Sequence, residues 1–180
     1  MDTITHLQPL LKEPGRVLGL DAYGVMYNGQ KLFKTIIPLI EFCNTHHIPF
    51  YIITNNATQS PNNISTKMQE MGVTIHPNHV ISSGCGCYEI PAIKNKIQHK
   101  KVFVYGYPQS KFYATQSGGT ITEDPNEADI IIMAASLSSK NHITYHAVFN
   151  ALKQNPHIHV ICINPDHYIA YKQRYVPVMG

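Results

Sequence analysis

Short apolar runs bounded by turn residues alternate with segments of helical period from Arg16 to Asp166. "RVLGLD" (Arg16 to Asp21) reads as a strand. "FKTIIPLIEFCNTHH" reads as a helix with Ile36, Ile37, Ile40 and Cys43 on one face, starting near Pro38 or kinked there. "IPFYIIT" is a second strand, apolar on both faces as in a parallel sheet. "SPNNISTKMQEMG" is a helix with Ser60 at the N-cap, Pro61 in the first turn and Gly72 closing the end. "HVISSG" is a third strand, and a helix interrupted by Pro91 runs through "YEIPAIKNKIQ". A second unit opens with the strand "KVFVYG". It continues through a helix closed by Gly118 or Gly119, the strand "ADIIIMAAS", a helix ended by Pro156, and the strand of "HIHVICINPD".

Strand–helix alternation of this kind specifies an α/β architecture with parallel sheets. Ligands of such folds bind beyond the carboxyl ends of the strands. Three strand ends then hold the candidate chemistry: Asp21, the run Thr54-Asn55-Asn56, and Ser82-Ser83-Gly84. A carboxylate beside hydroxyl and amide donors can attack a phosphoryl group while the donors hold its oxygens. A divalent cation is needed there, because carboxylate and phosphate repel one another. The competing reading is that these residues only cap turns and helices.

"LDAYGVMYNG" followed by "YIITNNAT" resembles the first two motifs of the haloacid dehalogenase superfamily, D-x-D-G-[VT]-[LI]-Y-x-G and T-N-N-[SA]. The resemblance is strongest to the p-nitrophenylphosphatase-like (NagD-like) branch, whose core carries an α/β cap of the C2 type. "HVISSGCGCYEIPAI" resembles the segment leading into that cap, and "KVFVYG", "ADIIIMAAS", "HAVFNALKQ" and "VICINPD" resemble successive cap elements. The resemblance implies the first half of a core over residues 1–99 and a cap over 100–180. It implies a Mg²⁺-dependent phosphatase of a small phosphorylated metabolite, with Asp21 as the nucleophile that forms an aspartyl-phosphate and also binds the metal. Thr54, Asn55 and Asn56 would hold and orient the phosphoryl group, Gly24 would permit the turn, and Asp166 in "NPD" would lie near the substrate.

Two departures from the family pattern stand out. Tyr23 occupies the position of the family's second aspartate, the proton donor to the leaving group. The backbone carbonyl of Tyr23 could still contact the metal, but a phenol ordinarily titrates near pH 10 and is a poor acid–base at neutral pH. The family's lysine motif and acidic pair do not occur before Gly180. The expectation is therefore a fragment, or a truncated relative that covers the exposed edge of strand one by association, with little or no phosphatase activity by itself. A non-catalytic, degenerate binding or interaction protein is the alternative.

Lys and Arg exceed Asp and Glu by 14 to 11, and the basic residues are scattered, which argues against a nucleic-acid partner. The one basic cluster, "KNKIQHKK" (Lys94 to Lys101), reads first as a solvated helix end, with a binding patch as the alternative. No apolar run is long enough for a bilayer, and four cysteines without scaffold density point to a reducing cytoplasm. A homo-oligomer is expected, as in the relatives. His76, His79, Cys85 and Cys87 form a weak zinc pattern, and His142 with His146 have chelating spacing but no evident third ligand. His46-His47 reads as a helix end, and Tyr105 and Tyr107 as packing or pocket wall.

Overall fold

The computed structural model describes residues 7, 9–134, 136–137, 142–171 and 174–179, with side chains described for 7, 9–134 and 145–168. Two compact units divide these residues. One runs up to Thr54 and takes in Pro61–Ile81; the other comprises Asn55–Ser60 and the chain from Ser82 onward.

In the first unit, β1 (Leu18–Asp21), β2 (Phe50–Thr54) and β3 (Val80–Ser82) form a sheet of order β1-β2-β3. β1 and β2 are parallel, with Leu18 opposite Phe50 and Asp21 opposite Ile53. Helix α1 (Ile36–Thr45) begins two residues before Pro38, where a missing N–H costs nothing. Helix α2 (Pro61–Glu70) takes its proline at the first position and is closed by the bonds Gly72 N–H to Gln69 O (2.9 Å) and Val73 N–H to Met68 O (3.0 Å). Leu20, Phe50, Ile52 and Val80 pack with Ile40, Cys43, Ile64 and Met68 in one core.

The two-faced burial expected of strand two is corrected here. Ile53 is 52% exposed and Ile81 45%, and both share their face with exposed Gly19 and Asp21. The apolar residue types mimic a strand covered twice, but the described helices of this unit bury one face only.

The second unit is a three-layer sandwich. Its sheet has the order β5-β4-β6-β8, from β4 (Lys101–Tyr105), β5 (Thr120–Ile121), β6 (Ile130–Met133) and β8 (His159–Cys162), all paired in parallel. Val102, Val104, Ile130 and Ile132 face Cys87, Ile97, Tyr113 and Ala114 of helices α3 (Gly86–Glu89), α4 (Pro91–Ile97) and α5 (Lys111–Gln116). Phe103, Tyr105 and Ile131 face Val148 and Ala151 of helix α6 (His142–Gln154). Here the continuous apolar strands are covered twice, as the parallel-sheet rule requires.

Pro91 opens α4 and so separates it from α3, instead of kinking one helix. Two features go beyond the alternation expected from sequence: β5, and a small antiparallel sheet of order β7-β10-β9 from β7 (Ser136–Leu137), β9 (Tyr168–Tyr171) and β10 (Arg174–Met179). Not every sheet is parallel: "YIAY" and "YVPV" are too short to show a period that separates strand from loop.

Candidate functional site

Asp21 ends β1 and is exposed. Its Oδ1 accepts the N–H of Ala22 at 2.9 Å, which steadies the carboxylate. The chain then makes a tight loop in which Gly24 N–H donates to Tyr27 O (2.8 Å) and Met26 N–H to Ala22 O (2.9 Å). Gly24 has φ 86°, a left-handed conformation that a side chain would strain. Ala22 and Met26 are buried and anchor the loop to the core.

Tyr23 turns back over this loop. Its ring meets Tyr27 edge to face at 5.8 Å between centroids. It also lies so close to Gly29 that a Cβ there would sit 3.2 Å from Tyr23 Cε2. The side chain in the acid position therefore packs against its own loop.

Thr54 follows Ile53, the residue registered against Asp21, so the two strand ends are adjacent. The side chains lie on opposite faces: Thr54 is 6% exposed on the packed face and Asp21 is on the open one.

Asn55 and Asn56 belong to the second unit. Asn55 Nδ2 donates to Asp166 Oδ2 at 2.6 Å. Asn56 Oδ1 accepts from Thr58 N–H (2.9 Å) and Thr58 Oγ1 (2.6 Å), closing an Asx turn. Ser83 Oγ donates to Asn55 O (3.0 Å) and to Ile163 O. Buried Asn164 accepts Asp166 N–H at 3.0 Å and sets the "NPD" turn. Asn55, Ser83 and Asp166 thus form one polar cluster in this unit. Ser83 and Asn164 were not tied to that cluster in the sequence; a serine after a strand and an asparagine before a proline are common turn signals, and only the fold joins them.

Ser82 and Gly84 are taken up by packing. Ser82 Oγ and Tyr113 Oη are 2.7 Å apart, and Tyr113 Oη donates to Gln59 O at 2.5 Å. A Cβ on Gly84 would sit 2.6 Å from the Tyr113 ring. Burial pushes the Tyr113 phenol up, with Ser82 opposing.

The zinc pattern finds no support, because no group of three or more His, Cys, Asp and Glu residues that could hold a metal occurs among the described residues. His76 caps a short turn through Asn78 N–H (3.3 Å), and His79 packs edge-on against Phe50 (5.3 Å). Cys87 is 1% exposed, and burial, with Cys85 beside it, pushes its thiol up to about 11. The side chain of His142 lies outside the described residues. His46 closes α1, its N–H donating to Phe42 O at 3.1 Å. Tyr105 is fully buried core, and Tyr107 is partly exposed.

For a divalent cation, the Asp21 carboxylate and the Tyr23 carbonyl are oxygen donors two residues apart on one loop. Such donors suit Mg²⁺, which keeps several waters and needs few protein ligands.

A family model described as haloacid dehalogenase-like hydrolase matches residues 18–120. An acid sugar phosphatase of Staphylococcus haemolyticus is 26% identical over 166 residues, covering 89% of this chain and 59% of that protein. The chain thus spans about six tenths of the length of the curated relatives it matches first. Among solved structures, a 4-nitrophenylphosphatase from Thermotoga maritima superposes with a TM-score of 0.75 at 21% identity, over 89% of this chain and 59% of that one. A glycerol phosphate phosphatase from Mycobacterium tuberculosis in complex with magnesium gives 0.73 at 14% identity, over 89% and 47%. These two share the fold.

Proposed function

The chain belongs to the haloacid dehalogenase-like hydrolase family, and on that premise we propose that it carries the nucleophile of a phosphatase acting on a small phosphorylated metabolite. The observation that carries this reading is Asp21, exposed at the carboxyl end of a parallel strand with one oxygen tethered to Ala22 N–H. In the proposed reaction a carboxylate oxygen of Asp21 attacks phosphorus and the bond to the leaving oxygen breaks, giving an aspartyl-phosphate. Water then attacks that phosphorus and restores the carboxylate. Bound Mg²⁺ would offset the repulsion between carboxylate and phosphate, held by Asp21 and the Tyr23 carbonyl. The family pattern would assign Thr54, Asn55 and Asn56 to the phosphoryl group and Asp166 to the substrate; with the Thr54 side chain buried on the face opposite Asp21 and the Asn55 amide donating to Asp166, those roles require both side chains to turn.

Tyr23 brings no carboxylate to the leaving group, so that oxygen takes its proton from water. The proposed activity is accordingly slow on alkyl phosphates and less impaired on esters with good leaving groups. Residues 1–99 would then be the first half of a core and 100–180 a C2-type cap, in a cytoplasmic homo-oligomer. No helix among the described residues is long and apolar enough to cross a membrane.

The packing of Tyr23 against Gly29 and Tyr27 also favours a second reading, a binding protein that retains the site without turnover. Hydrolysis of p-nitrophenyl phosphate with and without Mg²⁺, in the parent and in Asp21→Asn, separates the two. Weak Mg²⁺-dependent turnover lost in the variant supports the phosphatase. Equal background in both supports the binder.

A further inference from the structure

The basic cluster "KNKIQHKK" is not used by the proposed phosphatase site. In the fold it meets a second group of basic residues distant in sequence. Helix α4 ends at Ile97, and the chain reverses at His99, a non-glycine residue with φ 62°, whose N–H donates to Gly118 O at 2.9 Å. The reversal brings Lys96, from the last turn of α4, and Lys100, just before β4, to one cleft. His157, two residues before β8, and His159, its first residue, also line it. The cleft has a volume of about 370 Å³, near the lower end of small-molecule sites at about 300–1,000 Å³.

Its floor is apolar, from Ala128, Ile130 and Ile158, all buried. Its rim is polar. The lysines are free to act on a ligand: among the described residues, neither Lys96 nor Lys100 is in an ion pair, whereas Lys101 is tied to Glu127 at 3.2 Å. The one carboxylate in the lining, Asp129, has one oxygen engaged, its Oδ2 accepting Lys101 N–H at 2.8 Å. Asn155 Oδ1 accepts His157 N–H at 3.1 Å, which leaves the Asn155 amide hydrogens to donate elsewhere. Two ammonium groups, amide donors and two imidazoles against a single carboxylate form a receptor for an anion. A cation would find one carboxylate only. A nucleic-acid strand would find no Phe, Tyr or Trp in the lining on which to stack. The apolar floor suits the carbon skeleton of a compact ester.

We propose that this cleft binds an aliphatic phosphate monoester of sugar-phosphate size. It is a site separate from the "NPD" turn: the cleft lies at the amino ends of β4, β6 and β8, and Asn164 and Asp166 follow the carboxyl end of β8. The proposal does not depend on Asp21 being a nucleophile.

The test is ¹⁵N–¹H NMR of the 180-residue chain titrated with ribose 5-phosphate at constant ionic strength, with ribose and sodium chloride as controls. Saturable shifts are expected at Lys96, Lys100, Asn155, His157 and His159, with ribose producing none. Lys96→Gln with Lys100→Gln should weaken binding at least about tenfold. His157→Gln with His159→Gln is an independent pair of surface changes on the same cleft and should also weaken binding. The spectra themselves report that each variant is folded. Shifts that follow chloride equally, that persist in both double variants, or that occur only around Asp21 and Thr54 overturn the proposal.

Discussion

Asn55 and Asp166, 111 positions apart in sequence, are joined by a 2.6 Å hydrogen bond from Nδ2 to Oδ2. The bond ties the residue that follows β2 to the turn that follows β8. It also means that the amide expected to orient a phosphoryl group is already donating to a carboxylate. Asn55→Asp places two carboxylates at that distance and should lower the midpoint of thermal unfolding at neutral pH more than Asn55→Ala does. Thermal melts of the two variants at neutral pH check this; an equal loss in both is the contrary result.

Tyr113 is the polar pin of the second unit. Its hydroxyl bonds Ser82 and Gln59 O, and its ring occupies the space a Cβ on Gly84 would need. Tyr113→Phe should cost about 1–3 kcal/mol, since Ser82 is left buried without that partner. Gly84→Ala should cost a comparable amount, about 1–3 kcal/mol, by overpacking against the ring. Combined, the two should be less than additive, because they share one contact. Urea unfolding of the single and double variants gives the numbers.

Burial around the same ring sets an alkaline limit. The Cys87 thiol is pushed up to about 11 from 9.0, and burial raises the Tyr88 and Tyr113 phenols as well. A group whose folded pKa is raised keeps a proton that the unfolded chain has lost. Its contribution is complete below pH 9 and disappears as pH rises toward 11. Stability should therefore fall by up to about 3 kcal/mol from Cys87 alone over that window. The same burial predicts thiol selectivity: with iodoacetamide near neutral pH, Cys162 is exposed and should react first, while Cys43, Cys85 and Cys87 wait for unfolding. Mass spectrometry of the labelled peptides reads the order.

Much of the second unit was legible in the sequence. Its strands "KVFVYG" and "ADIIIMAAS" are continuous apolar runs, and they are buried on both faces. "IPFYIIT" carries the same signal and misled, because residue type reports what a strand can bury and not what the described fold lays over it: Ile53 is half exposed. Asp21 was legible from a lone carboxylate after an apolar run, and the fold places it at a strand end. The Asn55–Asp166 and Ser82–Tyr113 bonds were not, since long-range polar pairs leave no periodicity to read.

Tyr23 gives a prediction on leaving groups. Tyr23→Asp would supply the carboxylate that the loop lacks, and should raise turnover of alkyl phosphates by about 10²–10⁴ if a general acid is what limits them. It should change p-nitrophenyl phosphate far less. Comparison of kcat on the two ester classes decides it. Equal acceleration of both would place the effect in loop packing against Gly29 and Tyr27 instead.

Whether Asp21 takes the phosphoryl group is tested most directly by trapping the adduct. The chain is incubated with Mg²⁺ and acetyl phosphate, quenched in acid and digested, and the peptide containing Asp21 is examined by mass spectrometry. A hydroxylamine-labile phosphoryl adduct on that peptide, lost in Asp21→Asn and absent without Mg²⁺, is the predicted result. An unmodified Asp21 peptide in the folded chain, or an adduct that survives Asp21→Asn, contradicts the account.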